Sequence, residues 1–302
     1  MRKMKKILFA LSLCLTASLL LASCQENIDQ PVFEKGQIVF GVEGVGASVA
    51  TKAYGENTAA QLQANGFKVA GVTSANSVMF NAVASYASGV YSPAGGPYYF
   101  PASGTMSFFA AYPQDRTVDV DASGAATLSW THDPDVDLLA AKNVGVSATS
   151  SSVALTFDHV LTLLKFKAEG TDASVVYKVK NITVRVPGSG VYSFADNAWT
   201  AGGTNVSQVY SDAVTTLSGV TDIDGAVTVV PCTPIVAVEW DTYASDGTTL
   251  IASYSDSKSL GTAVSIGKTA TITLKLPNSD SNDITFTVEV NPWGSENHDL
   301  VF

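Results

Sequence analysis

Ile284-Thr285-Phe286-Thr287-Val288-Glu289-Val290 decides the fold class. Apolar residues at 284, 286, 288 and 290 alternate with polar ones at 285, 287 and 289. A strand sends successive side chains to opposite faces, so a strict period of two over seven residues reads as a half-buried β-strand. Upstream, Val175 to Val186 keeps the same period, with Val179, Ile182, Val184 and Val186 on one side, and stops at Pro187-Gly188. Thr105 to Tyr112 is a third strand, closed by Pro113. Val153-Ala154-Leu155-Thr156-Phe157 alternates again, and Phe67 to Val72, Ser77 to Val83, Val227 to Val230, Ile235 to Tyr243, Thr249 to Ser253 and Thr269 to Leu276 have strand length and composition. Turn-type tetrapeptides predict hairpins: Thr117–Val120 with Ala126–Trp130 across Asp121 to Gly124, and Gly190–Phe194 with Ala198–Thr200 across Ala195 to Asn197. Thr58 to Ala64 has the texture of a helical turn or two, and Asp158 to Leu164 that of a short helix. No segment sustains a capped helical period. Many short strands between turn signals predict an all-β chain of β-sandwich architecture.

The pattern breaks around Ala141 to Ser152, which places a boundary between an N-terminal domain, 37–149, and a C-terminal domain, 150–302. In front of them lies a leader. Arg2, Lys3, Lys5 and Lys6 precede an apolar run from Ile7 to Ala22, and small residues then lead to Cys24. The run is too short, and too broken by Ser12, Thr16 and Ser18, for a span of about 20 apolar residues. It reads as a secretory signal, 1–23, followed by a polar tether, 24–36. Leu21-Ala22-Ser23-Cys24 resembles the bacterial lipobox, which makes Cys24 the lipidated first residue of an exported lipoprotein.

Composition narrows the function classes. Charged residues are 15% of the chain, and removing the four basic residues of the leader takes the formal charge from −10 to −14. So acidic and lysine-poor a chain offers no counter-charge to nucleic acid or to an anionic membrane face. Of the three cysteines, Cys14 leaves with the leader and Cys24 takes lipid, so Cys232 stands alone and reads as a small buried apolar residue.

His132-Asp133-Pro134-Asp135 with Asp137 concentrates ligand-type side chains, as do Asp222 and Asp224 beside Gly225, but neither has the spacing of a calcium loop, and a solvated turn is the simpler reading. The three histidines, His132, His159 and His298, sit in no Gly-x-Ser-x-Gly elbow and no His-Glu-x-x-His helix. His159, between apolar strands, reads as a structural histidine. No cofactor, catalytic residue or metal site is expected, and the chain is read as non-enzymatic. Tyr86, Tyr91, Tyr98, Tyr99 and Phe100 cluster in a Pro- and Gly-rich segment; Tyr91, Tyr98 and Tyr99 are candidates for a sugar-stacking or partner-binding surface.

The order of motifs is specific in combination. A lipobox precedes an early strand and Thr51-Lys52-Ala53; then come Phe108 to Pro113, Asp137-Leu138-Leu139-Ala140-Ala141, the Val153 to Leu161 run with Phe157-x-His159-x-Leu161, and finally Pro292-Trp293-Gly294. This series resembles the fimbrillin family of Bacteroidia, the type V pilins and their relatives. The resemblance implies two transthyretin-like β-sandwich domains in series, export as a lipoprotein carrying a palmitate-type anchor, and residence at the outer membrane or in a fimbrium. It also implies proteolysis near the N-terminus, here after Lys52 to leave Ala53, which removes the first strand. A strand from a neighbouring subunit then fills the groove, with Ile284, Phe286, Val288 and Val290 as the candidate donor. Lys52 departs from an arginine cleavage site, and the tail beyond Trp293 is short. The expected role is a fimbrial subunit or surface lipoprotein that assembles by strand exchange and supports adhesion. The expected partners are other subunits, the outer membrane and a host or bacterial surface ligand. The alternative is a monomeric surface lipoprotein that binds glycan or protein.

Overall fold

The computed structural model describes residues 36–45, 59–149, 151–210, 215–279 and 283–293. Cys24, Lys52, Ala53 and the Leu300–Phe302 end of the tail lie outside them. The first half runs through β1 (Phe40–Val45), α1 (Ala59–Asn65), β2 (Phe67–Thr73), β3 (Val78–Ala87), β4 (Val90–Pro93), β5 (Met106–Tyr112), β6 (Val118–Val120), β7 (Ala126–Thr131), β8 (Leu139–Val146) and β9 (Val153–His159). The second half runs through β10 (Thr162–Gly170), β11 (Val176–Val186), β12 (Ser189–Ser193), β13 (Ala198–Gly202), β14 (Asn205–Tyr210), β15 (Thr215–Thr216), β16 (Thr221–Val229), β17 (Ile235–Tyr243), β18 (Leu250–Ser259), β19 (Lys268–Leu276) and β20 (Thr285–Pro292). Among the described residues the fold is all-β apart from α1. The helix expected over Asp158–Leu164 is not formed: the segment ends β9, turns at Val160-Leu161 and opens β10. The apolar residues there face different neighbours on two strands, which a helical period would not allow.

The first strands close on themselves. Strand order β1-β4-β3-β2-β5-β8-β9 forms a closed barrel, completed by parallel pairing of β1 with β9. Its interior holds Phe40, Phe67, Phe108, Tyr91 and Phe157, with Leu62 of α1 packed in the same cluster. Rings meet edge to face, Phe40 to Phe108 at 5.2 Å and Phe67 to Phe157 at 5.0 Å, the arrangement the ring quadrupoles favour. Phe80 folds across Gly71, where an added Cβ would lie 2.5 Å from its ring, so any larger residue there has to displace a core ring.

Apart from Ser107, Met106 to Tyr112 is apolar because both faces of β5 are covered. Met106, Phe108, Ala110 and Tyr112 point into the barrel. Phe109 and Ala111 point outward into a second core with Leu128, Trp130, Tyr192 and Phe194. The sheet β13-β12-β7-β6 supplies that outer layer, and its central pair, β7 with β12, joins strands from opposite sides of position 149.

The remaining strands make a two-sheet sandwich, β16-β10-β19-β20 facing β14-β11-β17-β18, with β15 paired to β11. Leu164, Phe166, Val179, Ile182, Val238, Trp240, Ile272 and Leu274 fill it. β11 alternates on either side of a bulge between Val179 and Asn181, which the unbroken period expected from the sequence did not include. That bulge is what sets Val179 and then Ile182, Val184 and Val186 on the core side while Arg185 stays outside. All described residues belong to one compact unit, Phe33–Phe302.

Candidate functional site

Two places bear on strand exchange: the seam that β1 closes, and the edge that β20 leaves.

At the seam, β1 is unequally held. On one side it pairs in parallel with β9 from Phe40↔Val153 to Val45↔Phe157, slipping register between Val42 and Gly44. On the other side it meets β4 at the single pair Phe40↔Tyr91. Its lead-in continues this contact: Ile38 N–H donates to the Tyr98 carbonyl at 2.8 Å, Phe100 N–H donates to the Gly36 carbonyl at 2.9 Å, and Gln37 bridges Tyr99. Ile38, Val39 and Phe40 are fully buried. The strand is thus a plug whose apolar head fills the barrel and whose tail is fastened along one side.

This geometry reassigns the tyrosines. Tyr91 is not on the surface: it is 3% exposed, its ring 4.9 Å from Phe67, and burial, helped by neighbouring Tyr86, pushes its hydroxyl up to about 12. Its place on β4, too short to show a period, hid this in the sequence. Tyr98 is half-buried with its ring 4.7 Å from Phe80. Tyr99 is 39% exposed and occupies the bridge to Gln37. The segment covers the lead-in to β1, and only Tyr99 and Tyr86 present substantial ring surface to solvent.

At the edge, β20 pairs antiparallel with β19 through an unbroken register, Lys275↔Thr285 to Lys268↔Pro292. Its apolar row grades from inside to outside. Ile284 is fully buried, Phe286 packs on the sandwich core, and Val288 and Val290 are 36% and 49% exposed. Ile284 is fixed from the facing sheet: its N–H donates to Asp256 Oδ2 at 2.9 Å, and Lys258 Nζ donates to its carbonyl at 3.2 Å.

Three sequence motifs converge beyond the end of β20. Asp137, from Asp137-Leu138-Leu139-Ala140-Ala141, lies 3.0 Å from His159 Nδ1. The His159 ring stacks on Trp293 at 4.6 Å and 4°. Trp293 N–H donates to the Gly267 carbonyl at 3.1 Å. All three side chains are buried, as a structural histidine requires. A cavity of about 320 Å³ opens beside them, lined by Asp158, Tyr192, Asn197, Ile266 and Pro292.

The candidate ligand clusters are dispersed. Asp137 is committed to His159 and not to His132. Burial holds the His132 imidazole below its ordinary range, against the opposing pull of Asp133. Asp222 sits 3.2 Å from Lys167. Among the described residues no three His, Cys, Asp or Glu side chains converge as metal ligands. Cys232 is half-buried and packs on the sandwich core, and burial pushes its thiol up to about 11.

The sequence profile of a family described as fimbrillin-like matches residues 45–293. No curated protein sequence matches significantly. Among solved structures, a candidate cell adhesion protein of Bacteroides uniformis aligns with a TM-score of 0.51 at 15% identity, covering 85% of this chain and 98% of that one. One of Parabacteroides distasonis aligns at 0.51 and 8% identity, covering 86% and 98%. One of Bacteroides ovatus aligns at 0.50 and 14% identity, covering 88% and 100%. At such identities the likeness is one of fold.

Proposed function

The chain belongs to the fimbrillin-like family, and on that premise we propose that it is a fimbrial subunit or adhesin exported as a lipoprotein and assembled by strand exchange. Cys24 carries the lipid that tethers it to the outer membrane. Cleavage after Lys52 frees Ala53 as the new N-terminus and releases everything before it, β1 included. The barrel, built mostly from 37–149 and completed by β9, then acts as the receiving half, and the sandwich, within 150–302, as the donating half.

The observation that carries this reading is the attachment of β1. Removing it uncovers Phe67, Phe108, Tyr91 and Phe157 of the barrel core and strips β9 of a parallel partner along Phe40–Val45. Burying a large aromatic side chain is worth roughly 1.5–3 kcal/mol, and unpaired strand backbone recruits a replacement. An incoming strand with a bulky apolar residue at the Phe40 position restores both.

One observation favours the second reading, a surface protein that stays monomeric and binds glycan or protein. The candidate donor is in use: Ile284 is fully buried at home and β20 is paired along its length with β19. Donation has to repay those contacts.

A lysine-cleaving protease decides between the two. Protein released from cells is treated with trypsin, its N-terminus is sequenced, and the products are run on unheated SDS gels. Strand exchange gives Ala53 as the N-terminus and a heat-labile ladder, and Lys52→Gln abolishes both. A product cleaved at Lys52 that stays monomeric rejects exchange and leaves the monomeric reading.

A further inference from the structure

The sandwich has four edge strands, and three of them are blunted. β16 carries a register slip opposite Lys165/Phe166, and Asp222 reaches across to Lys167. β14 lies opposite a slip between Ile182 and Thr183 and is pressed against β16, where a Cβ on Gly225 would lie 2.3 Å from the Val209 carbonyl oxygen. β18 follows a slip at Thr242/Tyr243, and its Asp256 and Lys258 turn their charges to the Ile284 backbone. Slips, inward charges and covering elements are the devices that keep sheet edges from pairing.

Among the described residues β20 shows no slip, inward charge or covering element, its protective residues being Glu289 and the terminal Pro292. Its register is continuous, it contains no lysine, and it exposes Val288 and Val290. Among the described residues no strand pairs with its outer edge.

We propose that β20 pairs with β20 of a second copy of this chain, antiparallel and centred on Val288. The sequence is self-complementary about that residue. Phe286 falls opposite Val290, and Thr287 falls opposite Glu289. One face of the joint carries a continuous apolar row and the other a polar row. Shifting the centre to Glu289 sets two carboxylates face to face, which is unfavourable. The pairing is two-fold and closed, so it makes dimers and not open fibres. It needs neither cleavage nor departure of β20 from its own sheet, so it joins two uncleaved sandwiches into one eight-stranded sheet and competes with any use of β20 as a donor strand.

The test uses the full chain at the surface of intact cells. A self-opposed position 288 brings two Cα atoms to about 4.5–5.5 Å, within the disulfide range of about 4.4–6.8 Å. Val288→Cys in a Cys232→Ser background is expected to give a covalent dimer on non-reducing gels under mild oxidant, well above the Cys232→Ser parent. Ser257→Cys on the blunted edge β18 is expected to stay at the parent level. Light scattering of the detergent-extracted chain is expected to show a dimer for the parent and a monomer for Val288→Lys, with the far-ultraviolet circular dichroism unchanged. A monomeric parent overturns the proposal. So does cross-linking of Val288→Cys no stronger than that of Ser257→Cys, or a dimer that appears only when Val288→Cys and Ser257→Cys chains are mixed.

Discussion

The barrel and the sandwich solve the same problem in different ways. Both must satisfy strand backbones at the margins of a sheet. The barrel removes its margins by closing, and closure rests on β1, which pairs with β9 along its length and with β4 at one residue pair. The sandwich keeps four margins, protects three by irregularity and charge, and leaves β20 with a continuous register and with Val288 and Val290 exposed. A region that depends on a single strand is vulnerable to losing it, whereas a region with a bare edge is prone to gaining one. Both properties in one chain suit a protein whose contacts with its neighbours are made by strands.

The comparison breaks first at its aromatic residues. Phe40→Ala is expected to cost about 3–5 kcal/mol, as for a fully buried ring, read as a fall in the urea midpoint. Phe286→Ala, half-buried at the sandwich margin, is expected to cost about 1–2 kcal/mol. Equal losses would mean that β1 does not hold the barrel closed.

A smaller effect separates the two ends of β20. Ile284→Ala is expected to cost about 2–4 kcal/mol, because it empties a filled site. Val288→Lys is expected to change stability by less than about 0.5 kcal/mol, since Val288 is 36% exposed. A large loss on Val288→Lys would show that the edge is covered within the molecule.

The smallest effect probes the layer between barrel and sandwich. Both ring nitrogens of His132 are buried without a hydrogen-bond partner, and burial lowers its pKa. The unfolded chain therefore takes up a proton first, near the ordinary value of about 6.5. Stability falls as the pH drops below that value and does not change on this account above it. His132→Asn is expected to flatten that part of the pH profile of the thermal midpoint. An unchanged slope would place the acid sensitivity elsewhere.

What was legible in the sequence is what is local. The hairpins β6–β7 and β12–β13 follow from their turn residues, α1 from a short helical stretch, and β20 from its alternation. The motifs Asp137 to Ala141, Phe157-x-His159-x-Leu161 and Pro292-Trp293-Gly294 signalled a family, but not that Asp137, His159 and Trp293 meet in one buried stack. Closure of the barrel was equally hidden. It is a parallel pairing between segments far apart in the chain, and no pattern in Phe40 to Val45 names Val153 to Phe157 as its partner. Tyr91 was misread for a related reason, since a four-residue strand shows too little of its period to declare which way it faces.

The β1–β9 pairing also sets an order of events. Phe40 leaves the ribosome long before Val153, yet it can dock only after residues as far as Phe157 have arrived. Contacts of such long sequence separation form late, because the loop between them must first be closed. The first strand to be made is therefore the last to settle in its sheet. Until it does, the nascent molecule displays an unfilled seam in its barrel, open to the strands of its sister molecules.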